Sequence, residues 1–206
     1  MRVAISFDDG LLDQFKWARG LYRYGIQGTF YICPFHVNHT GCLTLDQLKR
    51  MHEEWGHTIA NHFWLHERPK GGRGGLTFVS DQILIRNLTF GTEWLSDHGF
   101  EDGSRLVALP FGSAGGGWSK ELIKNLLNFC DQIRDVGDGI DIKRSRILNA
   151  IETTDIVDAP DDALVCYYFH GNHNTSDTAF VDLLEKLKNS DVEFTSMIKE
   201  AQNVQA

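Results

Sequence analysis

The chain has 206 residues, 42% of them hydrophobic and 23% charged, with 28 acids against 20 bases and a formal charge of -8. That length predicts one domain, residues 1–206, with room for a proper core, and the acidic balance argues against a nucleic-acid partner, whose phosphates need clustered Lys and Arg. No apolar run reaches the ~18 residues that span a bilayer, and the apolar stretch before Asp8 is too short for a signal peptide, so the expectation is a cytoplasmic protein without a membrane partner.

In chain order, Arg2 to Phe7 reads as a strand, and Leu11 to Tyr24 as a helix with Leu12, Phe15, Leu21 and Tyr22 apolar and Gly25 as its stop. Gly28 to Cys33 is β-rich and closed by Pro34. Thr44 caps a helix running to about Trp55, with Leu45, Leu48 and Met51 on one face. His57 to Ala60 is the next strand. A glycine-rich loop, Gly71 to Gly75, leads into a helix from about Ser80 to His98 with Ile83, Leu84, Leu88 and Leu95 apolar. Leu106 to Leu109 is a strand, and Gly115 to Gly117 open a helix from Ser119 to Phe129. Asp131 to Val136 and Ile147 to Ile151 are weaker strands, and Ala163 to Phe169 is a buried one. Asp177 to Lys188 is an amphipathic helix, and a last strand and helix cover Val192 to Ala201. Strands thus alternate with helices about seven times, the pattern of an α/β domain with a parallel sheet that can close into a small barrel. The cysteines Cys33, Cys42, Cys130 and Cys166 form no CxxC pair, and Cys33 and Cys166 read as small buried hydrophobes.

The nine histidines are the compositional hint of chemistry. In α/β folds sites gather past the C-terminal ends of the strands. There the chain places Asp8 and Asp9, then Asn61, His62 and His66, then Pro110, Phe111 and Gly112, and last His170 and His173. Consecutive residues at a strand end point in different directions, so one of the two acids can bind a cation while the other takes a proton. His62 and His66 are spaced i, i+4, which one helical turn brings to one side. Two imidazoles and a carboxylate form a common set for one divalent metal ion: zinc, with cobalt, nickel or iron(II) as alternatives.

These residues carry a resemblance. Ser6-Phe7-Asp8-Asp9-Gly10 resembles the first motif of the polysaccharide deacetylases, the NodB-homology domain of carbohydrate esterase family 4. Ala60 to His66 resembles their metal-binding motif, and Leu109-Pro110-Phe111-Gly112-Ser113 their Pro-aromatic-Gly motif. Tyr167 to His170 stands where the family has its final strand and histidine, and Val192 to Thr195 resembles its closing strand. The resemblance implies a single-domain, distorted (β/α)7-8 barrel and a metal-dependent hydrolase that removes N-acetyl groups from an amino sugar, free or in a polysaccharide. It implies Asp8 as general base, Asp9, His62 and His66 as metal ligands, His170 as general acid, and the backbone N–H of Phe111 as an oxyanion donor. Pro110, Phe111, Trp64 and Tyr168 are its candidate sugar-binding residues, the sugar being the one partner expected.

An amine leaves poorly unless protonated, so His170 needs a carboxylate to hold its proton, and Asp135 and Asp155 are the candidates. The sequence departs from the family where Phe63 replaces Ser or Thr after the first metal histidine, so a hydroxyl brace is absent. Ala108 stands where many members have an arginine beside the catalytic Asp, so Asp8 must be oriented from elsewhere. No fourth motif is legible between Asp131 and Asp158, and Gly171 replaces a common polar residue. These departures motivate two alternatives: an O-acetyl esterase or non-sugar amidase on the same metal centre, and a non-catalytic carbohydrate-binding relic. Arg68, Lys70 and Arg73 read as a solvated loop or an anion contact; Trp118 as a sugar platform or core; His36 and His39 as rim residues; His52, His57 and His98 as structural.

Overall fold

The computed structural model of the chain describes residues 1–66, 68–69, 78–113, 118–137, 139–141, 145–171 and 174–205. Lys70, Arg73 and their glycine-rich loop, glycines 115–117 and His173 lie outside these residues, as does the side chain of Arg68. The elements run β1 (Arg2–Phe7), α1 (Gln14–Tyr24), β2 (Gly28–Ile32), α2 (Leu45–Lys49), β3 (Thr58–Asn61), β4 (Arg68–Pro69), β5 (Phe78–Val79), α3 (Asp81–Asp97), α4 (Glu101–Ser104) and β6 (Leu106–Ala108). Then follow α5 (Lys120–Leu126), β7 (Gln132–Val136), β8 (Ile140–Asp141), β9 (Ile147–Ala150), β10 (Leu164–Phe169), α6 (Asp177–Lys188), β11 (Glu193–Phe194) and α7 (Met197–Gln205).

The main sheet has the order β8-β10-β1-β2-β3-β6-β7-β9, with β11 also paired to β1. Its neighbours are parallel except β8, which runs antiparallel to β10. Ile151, one residue past β9, bridges Tyr167 of β10. The two ends of the sheet therefore meet, and the fold is the expected α/β distorted barrel, nearly closed, with mixed strands.

Alternation along each strand sorts the side chains. Val3, Ile5 and Phe7 of β1 join Val165, Tyr167 and Phe169 of β10 in an outer core against α1 and α6. Ala4, Ala60, Ala108, Ala150 and Cys166 face inward with Tyr31 and Tyr168. Small residues on five strands leave the barrel interior room for a few large side chains, of which Arg134, Tyr31 and Tyr168 are the ones that matter below. A third cluster packs α3 and α5 on the outer face of β6 and β7 through Leu84, Leu88, Val107, Leu122 and Ile133.

The helices form where the sequence supplies both a cap and an apolar stripe. Ser80, Ser176 and Ser119 each accept a backbone N–H of the first turn, and Thr44 with Gln47 makes a capping box. The buried stripe of α1 is Gln14, Trp17, Ala18 and Leu21, and Gly25 (φ 72°) stops it. The expected stripe differed: Leu12 and Tyr22 are exposed, because the helix begins three residues later than its apolar pattern suggests and turns Trp17 inward. Ile83 of α3 is likewise exposed. The helix begun at Thr44 continues to Trp55 through a wider π turn, Arg50–Glu54. Cys33 and Cys166 are buried, as expected.

Candidate active site

Inward parity carried one step past each strand end builds the site. Ala4 and Ser6 face inward, so Asp8 does too. Ala60 puts His62 on the inner side, Ala150 puts Glu152 there, and Cys166 and Tyr168 do the same for His170. Asp8, Asp9, His62, His66, Phe111, Gly112, Tyr168 and His170 line one cleft of about 480 Å³ with Leu109 and Val136.

Asp9 breaks the parity rule. As the next residue it should point outward, but its backbone is left-handed (φ 73°), which turns the carboxylate back to the mouth. Asp tolerates this region better than most residues, because its short polar side chain can bond locally. Gly10 continues the turn at φ 69°, and a Cβ there would sit 2.9 Å from Ile32. The reversal brings Asp9 Oδ1 to 3.4 Å from both His62 Nε2 and His66 Nε2. One ligand atom from each of the three residues lies within 4.8 Å of the others.

This donor set fits a divalent cation. His62 Nδ1 donates to the Ala108 carbonyl at 3.0 Å, which fixes the tautomer and leaves the Nε2 lone pair toward Asp9. Burial and the neighbouring His62 push His66 down to about 4, so it is neutral and a lone-pair donor at neutral pH. Burial works to raise the Asp9 carboxyl. The neighbouring histidines, His62 first, then His66 and His170, outweigh it and hold Asp9 well below the carboxylate range.

The loop between the two histidines is braced without the hydroxyl that Phe63 lacks. Asn61 Oδ1 accepts the Phe63 N–H at 2.8 Å, while its amide donates to Leu88 O and Thr92 Oγ1, both at 3.0 Å. Gly91 of α3 makes this approach possible, since a Cβ there would lie 2.5 Å from Asn61 Oδ1. Phe63 is fully buried, left-handed at φ 66°, with its ring 5.3 Å from Trp118. Burial and a side-chain amide thus replace the missing hydroxyl.

The arginine absent at position 108 is supplied from β7. Arg134 is fully buried, and its Nη2 pairs with Asp8 Oδ1. Its guanidinium carbon lies 4.8 Å from the Tyr168 ring centroid and 5.2 Å from that of Tyr31, within cation–π distance of both. The carboxylate beside His170 is Glu152, not Asp135 or Asp155. Glu152 Oε1 is 3.2 Å from His170 Nδ1. Burial works to lower the His170 pKa, but the Glu152 hydrogen bond and the charges of Asp8, Glu152 and Asp9 raise it above the ordinary value. Asp135 braces the cleft wall instead, accepting N–H groups of Ser113 at 2.6 Å and Val136 at 2.7 Å. Asp155 is exposed, and its carbonyl meets Tyr167 Oη. Both Arg134 and Glu152 lie in the stretch 131–158 where no motif is legible. Strand parity was the available signal: each stands two residues past an inward-facing neighbour, Gln132 and Ala150.

Gln14, the first residue of α1, ties the two proton-transfer candidates together. The β1–β10 ladder ends at Asp8 N–H to Phe169 O, 2.9 Å. Beyond it Asp9 turns away, and the Gln14 amide donates to both the Asp8 and His170 carbonyls.

The other expected residues divide between the cleft and the packing around it. Phe111 (φ 64°) lines the cleft with its ring 4.1 Å from His66, next to Gly112, where a Cβ would meet Val136 at 2.9 Å. Pro110 is buried, and its carbonyl accepts the Trp118 indole N–H at 2.9 Å. Trp118 is therefore core and anchors the Pro-Phe-Gly turn. Trp64 lies outside the cleft lining, in a surface groove with Phe90, Glu93, Trp94 and Asp97. His36 and His39 cluster with Phe35. His57 and His98 are structural, their ring nitrogens bonded to the carbonyls of Ala18 and Trp94, and His52 bonds the His57 carbonyl.

The polysaccharide deacetylase model matches residues 1–128. The chain belongs to that family. Solved structures agree in fold. The peptidoglycan N-acetylglucosamine deacetylase Bc1960 is 15% identical with a TM-score of 0.68, over 98% of this chain and 88% of its own. The Xyl-CE4 domain of a multidomain xylanase from the hindgut metagenome of Trinervitermes trinervoides is 17% identical with a TM-score of 0.65, over 100% of this chain and 91% of its own. IcaB from Ammonifex degensii is 19% identical with a TM-score of 0.53, over 64% of this chain, which spans 58% of that structure's length. No curated protein matches the chain in sequence. Among the described residues, no helix is long and apolar enough to cross a membrane.

Proposed function

We propose that this deacetylase-family protein hydrolyses the N-acetyl group of an amino sugar within an oligo- or polysaccharide, using one divalent metal ion. One observation carries the proposal: Asp8 and His170 line the same cleft as the Asp9/His62/His66 set, and each has an oppositely charged partner behind it. Asp9, His62 and His66 hold the ion, which when bound supplies a Lewis acid for the carbonyl and for water. Two imidazoles and a single carboxylate suit zinc, with cobalt, nickel or iron(II) also accommodated.

Asp8 acts as general base. It takes a proton from the water that attacks the acetyl carbon. Arg134 fixes which Asp8 oxygen stays available, because Oδ1 is occupied by Nη2. The backbone N–H of Phe111 is the proposed donor to the oxyanion. His170 delivers a proton to the departing nitrogen through the ring nitrogen that does not face Glu152, and Glu152 holds the ring charged for that step. Tyr168 and Phe111 supply apolar walls for the sugar and acetyl group.

Both departures that motivate a non-catalytic relic are met by other residues, Arg134 for the arginine and Asn61 for the hydroxyl. The deciding experiment is turnover of N-acetylglucosamine oligomers with and without chelator, beside an Asp9→Ala/His62→Ala variant. Loss of turnover in both supports the proposal, and turnover that survives full chelation overturns it. A His170→Ala variant tests the leaving group. Amide turnover should collapse, whereas an O-acetyl esterase would keep most of its rate, since an alkoxide needs less acid than an amine.

A further inference from the structure

Helix α1 has a second organised face besides the buried one. Phe15, Arg19, Tyr22 and Arg23 recur at i, i+4, i+7 and i+8; the last three are exposed, while Phe15, like Trp55, is half-buried and packs against the edge of the core. With Arg50 and Trp55 they line a groove of about 340 Å³ that shares no residue with the catalytic cleft. Trp55 is its centre. The Phe15 ring lies 5.0 Å from it, the Tyr22 ring 6.2 Å away at 22°, and the Arg50 guanidinium carbon 5.4 Å from its centroid.

Three guanidinium groups and no carboxylate line this groove. Arg50 is locally neutralised by Glu54 at 2.9 Å. Among the described residues, Arg19 and Arg23 have no carboxylate at ion-pair distance. Like charges spaced i, i+4 destabilise a helix. The chain therefore keeps an unbalanced positive pair on one helix face while its formal charge is -8. Beside that pair stands an open aromatic surface, with Tyr22 51% exposed.

We propose that this groove binds an acidic sugar: a ring bearing a carboxylate or a phosphate group, its apolar face against Trp55 and Tyr22 and its anionic group between Arg19 and Arg23. Planar guanidinium forks match both anions in two-point geometry, and aromatic rings match the apolar face of a pyranose. Binding here stands on the groove alone. Its link to turnover rests on the proposed deacetylase function: a polymer held on α1 raises its effective concentration at the cleft.

The test titrates the full chain with trigalacturonate, glucose 6-phosphate, neutral maltotriose, inorganic phosphate and a single-stranded oligonucleotide, read by calorimetry, beside an Arg19→Gln/Arg23→Gln variant. The expected result is saturable binding of at least one acidic sugar. That binding should weaken as salt rises, fall at least tenfold in the variant, and be absent for maltotriose. The uronate and phosphate arms decide which anion the groove prefers. Equal binding of neutral and acidic sugars overturns the proposal, as does unchanged binding in the variant. Inorganic phosphate binding as tightly as the sugars overturns it too, and so does a single-stranded oligonucleotide binding more tightly than any of them. On an acidic N-acetylated polymer the variant should raise KM with kcat unchanged, and it should leave turnover of a short neutral oligomer alone. Absence of all turnover in the unmodified protein would count against the deacetylase function while leaving the binding result intact.

Discussion

The cleft has two sides built by different rules. On one side Asp9, His62 and His66 come from two short segments, and two left-handed residues, Asp9 and Phe63, assemble them, so the two histidines meet in a loop and not on the helical turn their spacing suggests. On the other side Asp8 and His170 depend on partners far away in the chain: Arg134, 126 residues from Asp8, and Glu152, 18 residues from His170. The first side is a local motif and the second a tertiary arrangement. The lesson is that a set able to hold an ion can lie within short segments, whereas the proposed proton-transfer groups are paired with charges that only the nearly closed barrel brings near.

Substitutions can break the comparison at either side. The largest effect is expected on the local side. His62→Ala or Asp9→Ala should lower kcat/KM by at least about 10³-fold, since the chemistry a bound ion supplies is lost outright. Metal content measured on the purified variants should fall in parallel; full metal content with lost activity would contradict the assignment of these residues as ligands.

The next effect is at Arg134. Arg134→Met leaves Asp8 buried without its cation, and breaking such a pair by removing one partner destabilises by about 3–5 kcal/mol. Chemical denaturation checks this. An Asp8→Asn/Arg134→Met double variant should recover much of the lost stability, because no buried charge is then stranded, but it should stay inactive.

Glu152→Gln is expected to cost less, about 10–100-fold at alkaline pH, and to change the shape of the pH profile. His170 holds its proton up to a pH above the ordinary imidazole value, chiefly because the Glu152 hydrogen bond overcomes its burial. The acid form is therefore present below that raised value, and the rate falls as pH rises through it. Removing the carboxylate charge lowers the His170 pKa, so the alkaline fall should begin at a lower pH. An unchanged alkaline limb would remove Glu152 from this role.

The smallest effect is expected at Gln14, where Gln14→Met keeps the volume but deletes the amide joining the Asp8 and His170 carbonyls. A loss of about tenfold in kcat with KM and metal content unchanged would fit the loss of alignment between base and acid. A drop in melting temperature with normal kcat would make the residue merely structural.

Much of the fold is legible because each helix carries its own cap and stripe. Asp177 to Lys188 is bounded in the structure as its apolar period predicts, with Phe180, Leu183, Leu184 and Leu187 inward. The start of α1 is not, because Leu11 and Leu12 extend the apolar pattern into a turn. The polar residue Gln14 is buried at the first helical position for a reason that lies on two other strands. Trp118 shows the same limit: its sequence position beside the Pro-Phe-Gly turn suits a sugar platform, yet its indole points to the Pro110 carbonyl.

What the sequence by itself determined is the order of strands and helices and the three residues that could hold a metal ion. The elements follow from period and capping, which act within a few residues, while the proposed base and acid rest on a resemblance. What only the tertiary structure decided is which charges stand behind Asp8 and His170. Position 108 is alanine, so the cation had to arrive across the barrel from Arg134, in space that small inward residues on neighbouring strands leave open. Charge pairing depends on distance in space, and the nearly closed barrel sets that distance, with no record of it in the linear spacing of the chain.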